Sequence, residues 1–282
     1  MIPSNFDYVR PETLDAALAA LAASEDAKVL AGGHSLIPAL KLRLAQPRIL
    51  VDISRIAGLN EIRVSDGMVG IGGMTTHRDI ECSEVLREKC PLLAEVAASI
   101  GDAQVRNRGT LGGSLVHADP AADWPAAILA LDAQMEVAGP GGRRTVKASD
   151  FFVEMMQSAV QPNEILVEVR VPVTASSTAY VKFAQKASGF AIAGVAAIVE
   201  AASKTVRVGI TGVATKAFRA TGVEDALRGK TLTPANIALA AEHADDDIET
   251  LNDIHASAEF RAHLTRVHTR RALELAATRG AC

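Results

Sequence analysis

The sequence predicts a mixed α+β fold, with a small parallel sheet near its start, further strands in its middle and an antiparallel sheet with helices at its end. Three observations predict it. An apolar strand, Lys28 to Ala31, passes through Gly32 and Gly33 into a helical stretch and on to a second strand, Ile49 to Ile53; this is a compact β–turn–α–β unit, whose strands run parallel. Beyond about Thr174 three strand-like runs follow one another with short connections, as in an antiparallel set. From Ala220 onward the apolar residues recur at helical spacing.

Each element has its own signal. Thr13 is a capping residue, and Leu14, Leu18 and Leu21 share one helical face, so a helix is expected from Thr13 to Ser24. After the strand Lys28 to Ala31, helical periodicity returns from Ser35 to Leu44. Glu61 to Val64, the turn Ser65-Asp66-Gly67 and Met68 to Ile71 read as a hairpin, after which Thr75 or Thr76 caps a helix. Pro91 to Ile100 is helical, whereas Gly101 to Asp123 shows no sustained periodicity and reads as an extended, structured loop. A helix from Asp123 to Leu131 follows. Gln134 to Val137 and Ile165 to Val171 are strands, separated by the turn Gly139-Pro140-Gly141-Gly142 and the segment Phe151-Phe152.

Ala175-Ser176-Ser177-Thr178 has the composition of a linker and places a domain boundary near residue 175. Tyr180 to Gln185, Ala191 to Ala201 and Thr205 to Val213 are then strands, and Ala220 to Arg228, Pro234 to His243 and Ile254 to Thr278 are helices.

Composition narrows the function. A chain of 282 residues that is 49% hydrophobic and 22% charged buries a substantial core. A formal net charge of -4, with basic residues scattered among acids, gives no attraction for nucleic acid. The longest apolar run, Gly189 to Val199, falls short of the roughly 18 residues that cross a bilayer, and a cytoplasmic protein is expected. Cys82, Cys90 and Cys282 show neither CxxC spacing nor an even number, which argues against disulfides; an iron–sulfur cluster takes about four cysteines, so any such centre belongs to another chain. Cys82 and Cys90 read as ordinary thiols.

Two glycine pairs carry the binding signal. Ala31-Gly32-Gly33-His34-Ser35-Leu36 places two glycines between a strand and a helix, where the backbone admits a ligand closely and the N–H groups at a helix start attract an anion such as a pyrophosphate. The run is neither GxGxxG nor a P-loop, and taken alone such a pair is more often a purely structural turn. Gly109-Thr110-Leu111-Gly112-Gly113-Ser114 is a second pair, flanked by hydroxyls that could cradle the same anion from the other side. Around it, Arg106 and Arg108 also read as solvated charge, and Asp123 as a cap for the following helix.

These residues resemble a known family. AGGHSL at Ala31 to Leu36, TTH at Thr75 to His77, QVRNRGTLGGSLVHADPAADWPA at Gln104 to Ala126 and ASGFAIAGVA at Ala187 to Ala196 are similar to the medium, flavin-binding subunit of the aerobic carbon monoxide dehydrogenase group, a relative of the flavin domain of xanthine dehydrogenase. The likeness covers almost the whole chain. It implies a PCMH-type two-lobed FAD-binding domain over 1–174, with lobes of about 1–56 and 57–174 that hold a small parallel and a larger mixed or antiparallel sheet. A C-terminal domain over 175–282 would have three antiparallel strands on a helical bundle.

The resemblance also implies roles. Ala31 to Leu36 and Thr110 to Ser114 would hold the FAD pyrophosphate non-covalently, so that Ala31, Gly32, Gly33, His34, Ser35, Leu36, Thr110, Gly112, Gly113 and Ser114 bind cofactor, with Val29 and Leu30 leading into the first loop. Asp123 would hold the ribityl or an adjoining part, Leu166 and Lys182 would lie near the cofactor, and Phe190 would approach the flavin ring. Thr76, His77, Gly101, Gln104, Arg106, Asn107, Gly109 and Asp119 complete the expected cofactor-binding set. His117 has no nucleophile with an orienting acid legible around it, and no catalytic residue is assigned.

The implied function is electron transfer. Electrons would leave a molybdopterin centre on a large partner chain, cross 2Fe-2S clusters on a small partner chain, and reduce FAD here before passing to an external acceptor, in a dimer of heterotrimers. Lys186 stands where relatives often carry Arg, and Ser188-Gly189-Phe190 where the xanthine dehydrogenase branch carries acids, which favours a quinone over NAD as acceptor. Two other readings stay open at this point: a stand-alone FAD-dependent oxidoreductase with its own substrate, and a non-redox scaffold that has lost FAD.

Overall fold

The computed structural model describes residues 1–174 and 177–280. The first lobe contains β1 (Asp7–Val9), α1 (Leu14–Ala22), β2 (Ala27–Leu30), α2 (Leu36–Lys41) and β3 (Ile49–Asp52). The strands form a parallel sheet in the order β1-β3-β2. Thr13 caps α1, its hydroxyl accepting the Ala16 amide at 3.2 Å. One turn apart on that helix, Ala17 and Leu21 bury against Val51 and Ile53. The strand β1 has no counterpart in the sequence reading: it is three exposed residues on a sheet edge, held by backbone pairing and by the Tyr8 hydroxyl donating to the Asp52 carboxylate, and so leaves no apolar pattern.

The second lobe runs through β4 (Ile62–Ser65), β5 (Met68–Gly72), α3 (His77–Cys82), α4 (Glu84–Lys89), α5 (Pro91–Ser99), α6 (Ala103–Arg108), α7 (Leu111–His117) and α8 (Trp124–Ala130). It continues with β6 (Gln134–Gly139), β7 (Gly142–Lys147), α9 (Ala148–Phe151), β8 (Phe152–Glu154), β9 (Gln157–Ser158) and β10 (Ile165–Pro172). An antiparallel sheet in the order β4-β5-β10-β6-β7 forms its floor, and the helices pack above it. Of the two threonines proposed as a cap, Thr76 caps α3, in a box with Asp79.

The stretch 101–123 is a correction to the sequence reading. It is not an extended loop but holds two helices, capped by Asp102, which accepts the Val105 amide, and by Thr110, which accepts the Gly113 amide. The glycines in α7 cost a helix about 1 kcal/mol each, while burying a leucine returns about 1.5–3 kcal/mol; Leu111 and Leu115 are both fully buried and outweigh them. Gly112 serves packing, since a Cβ there would stand 2.6 Å from the Gly73 carbonyl oxygen.

The C-terminal part contains β11 (Ser177–Ala184), β12 (Ala191–Glu200), β13 (Thr205–Thr211), β14 (Phe218–Arg219), α10 (Thr221–Leu227), α11 (Pro234–Ala241) and α12 (Ala258–Arg279). The sheet order is β11-β12-β13-β14, one short strand more than the three expected. Ser177 and Thr178, expected in a linker, pair with Val199 and Ile198 as the start of β11; Ala175, Ser176 and Cys282 lie outside the described residues. The last helix starts at Ala258 rather than Ile254 because Ser257 caps it, accepting the Phe260 amide. Tyr180, Ala196 and Ile198 belong to the same buried cluster as Trp124 and Ile128 of α8, so the C-terminal sheet shares a core with the second lobe. Among the described residues no helix is long and apolar enough to cross a membrane.

Candidate functional site

Where the two lobes and the C-terminal sheet meet, the chain encloses a cleft of about 490 Å³. Its first wall is the turn from β2 into α2. Among the described residues, the amides of Gly32, Gly33, His34, Ser35 and Leu36 donate to no protein acceptor, and all five residues line the cleft. Successive free amides at a helix start make an anion-binding concavity. Gly32 packs on the other lobe, where a Cβ would stand 2.1 Å from the Arg108 carbonyl oxygen and 2.9 Å from the Gly109 Cα. His34 ties the same junction by donating from Nε2 to the Gln104 carbonyl at 3.1 Å.

The second wall is α6 and α7, and it works differently from the first. The Gly112 amide donates to the Gly73 carbonyl, the Gly113 amide to Thr110 Oγ1 and the Ser114 amide to the Thr110 carbonyl. This glycine pair therefore offers a ligand closeness and hydroxyl groups rather than free amides. A Cβ at Gly113 would come within 3.4 Å of Ala31 Cβ, so the two glycine pairs face each other across the lobes.

Beneath them His77 is buried, and its Nδ1 accepts the Trp124 indole N–H at 3.2 Å. That bond places the ring proton on Nε2. Burial, with the nearby His34 and Arg106 adding to it, lowers the His77 pKa to about 4, so the ring is neutral near pH 7.

The third wall comes from the start of α8 and from the turn between β11 and β12. Asp123 makes no capping bond to α8; its Oδ1 instead accepts the Tyr180 hydroxyl at 2.6 Å and pairs with Lys182 Nζ at 2.9 Å. Burial pushes the Asp123 carboxyl above its usual range, against the pull of the Lys182 ammonium and of the Tyr180 hydroxyl. Burial beside that carboxylate raises the Tyr180 phenol well above its ordinary value, which keeps it a donor. Phe190, a residue 45% exposed, lines the cleft from the adjoining turn.

Most of the residues proposed from the sequence converge on this cleft. Val29, Ala31 to Leu36, His77, Gly101, Gly109, Thr110, Gly112 to Ser114, Asp119, Asp123, Leu166 and Phe190 line it. Leu30, Thr76, Gln104, Arg106, Asn107 and Lys182 do not. Thr76 is spent on its cap, Arg106 pairs with Glu81 at 2.9 Å, and Asn107 faces solvent.

The sequence reading missed Tyr180. A signal existed, because Thr178, Tyr180 and Lys182 alternate along β11 and so share one face of the sheet. It also missed Met156, Val160 and Glu164, which line the cleft from the stretch between β8 and β10, and Ile165 at the start of β10; nothing in their local pattern marks them.

Comparison with known proteins agrees with this architecture. Residues 4–174 match the family described as the FAD binding domain in molybdopterin dehydrogenase, and residues 178–276 match the CO dehydrogenase flavoprotein C-terminal domain. The chain belongs to this family, the FAD-binding flavoprotein subunits of molybdopterin dehydrogenases, which are oxidoreductases. It is similar to the carbon monoxide dehydrogenase medium chain of Hydrogenophaga pseudoflava, with 41% identity over 98% of each chain. It is also similar to the 6-hydroxypseudooxynicotine dehydrogenase complex subunit alpha of Paenarthrobacter nicotinovorans, with 38% identity over 97% of this chain and 95% of that one. The solved carbon monoxide dehydrogenase of Hydrogenophaga pseudoflava matches with a TM-score of 0.96 over 99% of this chain and 100% of that one, at 41% identity.

Proposed function

We propose that this chain binds FAD non-covalently in the interlobe cleft and serves as the electron-transfer subunit of a molybdenum-containing dehydrogenase. Its partners are a large molybdopterin-binding chain and a small chain carrying 2Fe-2S clusters, in a dimer of heterotrimers in the cytoplasm. The observation that carries the reading is the run of free amides from Gly32 to Leu36, set in a cleft that the second glycine pair closes from the other lobe.

The residues present fit that group. The free amides suit a diphosphate, Thr110 and Ser114 add hydroxyls, and the acidic Asp123 suits the polyol part of the cofactor. FAD, when bound, supplies the redox chemistry. The chain's own residues bind and shield it: the Gly32 and Gly113 contacts bring the lobes together, and neutral His77 keeps a positive charge out of the buried wall. Phe190 stands at the open face with no acid beside it in Ser188-Gly189-Phe190, which favours an acceptor other than NAD.

We place the functional division near residue 175, with the cofactor walls largely in 1–174 and the brace on Asp123 in 175–282. The relatives are named for substrates as unlike as carbon monoxide and 6-hydroxypseudooxynicotine while matching this chain along nearly its whole length. That supports substrate selection on the partner chain. The test is to co-express this chain with its two partners, purify the complex and release its flavin by denaturation. About one FAD per chain is expected; a colourless complex that takes up no FAD on incubation overturns the reading.

A further inference from the structure

Thr211, the last residue of β13, is fully buried. Its hydroxyl lies 2.7 Å from the Ala122 carbonyl and 2.9 Å from the Pro120 carbonyl, so its one proton is shared between them. The carbonyl between these, on Ala121, accepts the Ala191 amide at 3.1 Å, and the Gly212 amide reaches the Pro120 carbonyl at 2.7 Å. The C-terminal sheet thus takes up three successive carbonyls of the second lobe, and Asp119, Ala122 and Asp123 on this segment line the cleft. Lys182, Gly194 and Thr211 are register partners on three adjacent strands. Gly194 is the gap in that row, since a Cβ there would collide with the Tyr180 hydroxyl and press on Thr211 Cγ2 at 3.0 Å. The Tyr180 hydroxyl, which holds the Asp123 carboxylate, therefore stands beside Thr211, whose hydroxyl holds the peptide just before Asp123.

These bonds differ in consequence. The Ala191 and Gly212 amides tie down Ala121 and Pro120, and with the shared core around Tyr180, Ala196 and Ile198 they already join the sheet to the second lobe. The Ala122 carbonyl, by contrast, has Thr211 as its one hydrogen-bond partner among the described residues. That carbonyl shares a rigid plane with the Asp123 N–H and Cα, so its direction sets the point from which the Asp123 side chain starts. No capping bond to α8 offers Asp123 a second anchor. Thr211 itself lies outside the cleft lining. We propose that Thr211 is a positioning residue for the cofactor site: through the Ala122 carbonyl it sets the backbone from which Asp123 reaches the cleft, without touching the ligand. The proposal rests on the reading that the cleft binds FAD.

The test uses the assembled complex carrying Thr211→Val, which keeps the shape and removes the hydroxyl, and Thr211→Ser, which keeps the hydroxyl and removes the methyl. FAD affinity, the visible-region circular dichroism of bound flavin and thermal unfolding are measured for each. The expected result is FAD binding about tenfold weaker in Thr211→Val, the size of effect that losing an outer-shell partner has at metal sites, with an altered flavin dichroism. Thr211→Ser should match the parent in both. Thr211→Ala, which differs from the serine variant by the hydroxyl alone, takes the place of Thr211→Val if that complex does not assemble. A purely structural role would lower the unfolding temperature and leave affinity and dichroism as in the parent. If the parent complex binds FAD and Thr211→Val matches it, or Thr211→Ser is weakened as much as Thr211→Val, the positioning role is overturned while the flavin reading stands. Assembly with serine but with neither valine nor alanine would show a hydroxyl needed for folding, and would also overturn it. If the parent complex binds no FAD, the flavin reading falls and the proposal falls with it.

Discussion

Gly32 stands against the carbonyl oxygen of Arg108, and a methyl group added to it would sit 2.1 Å from that oxygen. The contact joins the first lobe to the second at the mouth of the loop with free amides. Gly32 does not occupy the left-handed region, so its requirement is room alone. Gly32→Ala is expected to force the lobes apart, costing about 1–3 kcal/mol as overpacking does, and to reduce the FAD content of the purified complex. Gly141→Ala, where nothing lies within 4 Å, is the control and should change neither. Equal urea midpoints and equal flavin content for the two variants would remove the steric account of the interlobe contact.

The buried carboxylate of Asp123 is held by two partners of unequal weight. Asp123→Asn leaves the Lys182 ammonium buried without its counter-charge, and because the Ser99 and Gly189 carbonyls still solvate it the cost should fall near the low end for a broken buried pair, about 3 kcal/mol. Tyr180→Phe removes one hydrogen bond to a charged acceptor and should cost less, about 1.5–3 kcal/mol. Equilibrium urea unfolding orders the two. The reverse order would mean that the phenol, not the ammonium, is the main support of the carboxylate.

What could be read in the sequence, and what could not, follows from which forces leave a local pattern. The β–turn–α–β unit and the strands β12 and β13 were legible because they concentrate apolar residues in short runs, continuously buried in β12, bounded by turn residues. The edge strands β1 and β7 were not: in Gly142–Lys147 only Val146 is buried, and backbone pairing with β6 leaves no hydrophobic trace. The helices α6 and α7 were masked by Gly109, Gly112 and Gly113, which lower local propensity for reasons of close packing, on His77, Gly73 and Ala31 respectively, that only the tertiary structure reveals. The cleft itself was legible through the motif Gln104 to Ala126, and yet the motif did not say that only the first glycine pair keeps its amides free. Lys182 was named only through the resemblance, and its three bonds, to Ser99, Gly189 and Asp123, are non-local and could not be read from spacing.

The two described cysteines should differ sharply in reactivity. Cys82 is exposed, whereas Cys90 is fully buried, and burial pushes its thiol up to about 11. A thiol that is both inaccessible and protonated is a poor nucleophile. Brief alkylation of the native chain, mapped by mass spectrometry, should label the Cys82 peptide and spare the Cys90 peptide until denaturant is added. Native labelling of Cys90 at a rate like that of Cys82 would contradict the packing around α4 and α5.

His77 gives the chain a specific sensitivity to acid. In the folded protein its pKa is about 4, against 6.5 for an unperturbed imidazole, because burial disfavours the charged ring. Between those values the unfolded chain takes up a proton that the folded chain refuses, so unfolding gains ground as the pH falls. The stability tied to neutral His77 is therefore fully present above 6.5 and is lost as the pH drops toward 4. By about pH 4.5 the loss amounts to about 2–3 kcal/mol. His77→Gln removes the titration while its side-chain carbonyl still accepts the Trp124 indole N–H, whose donor now lies 3.2 Å from His77 Nδ1. Urea unfolding of parent and variant at about pH 7.5 and about pH 4.5 should show the variant losing about 2–3 kcal/mol less across that interval, the other carboxylates and histidines contributing equally to both proteins. Parallel losses would mean that His77 takes up its proton without disturbing the fold, and so that the ring is not held neutral by its buried place under the two glycine pairs.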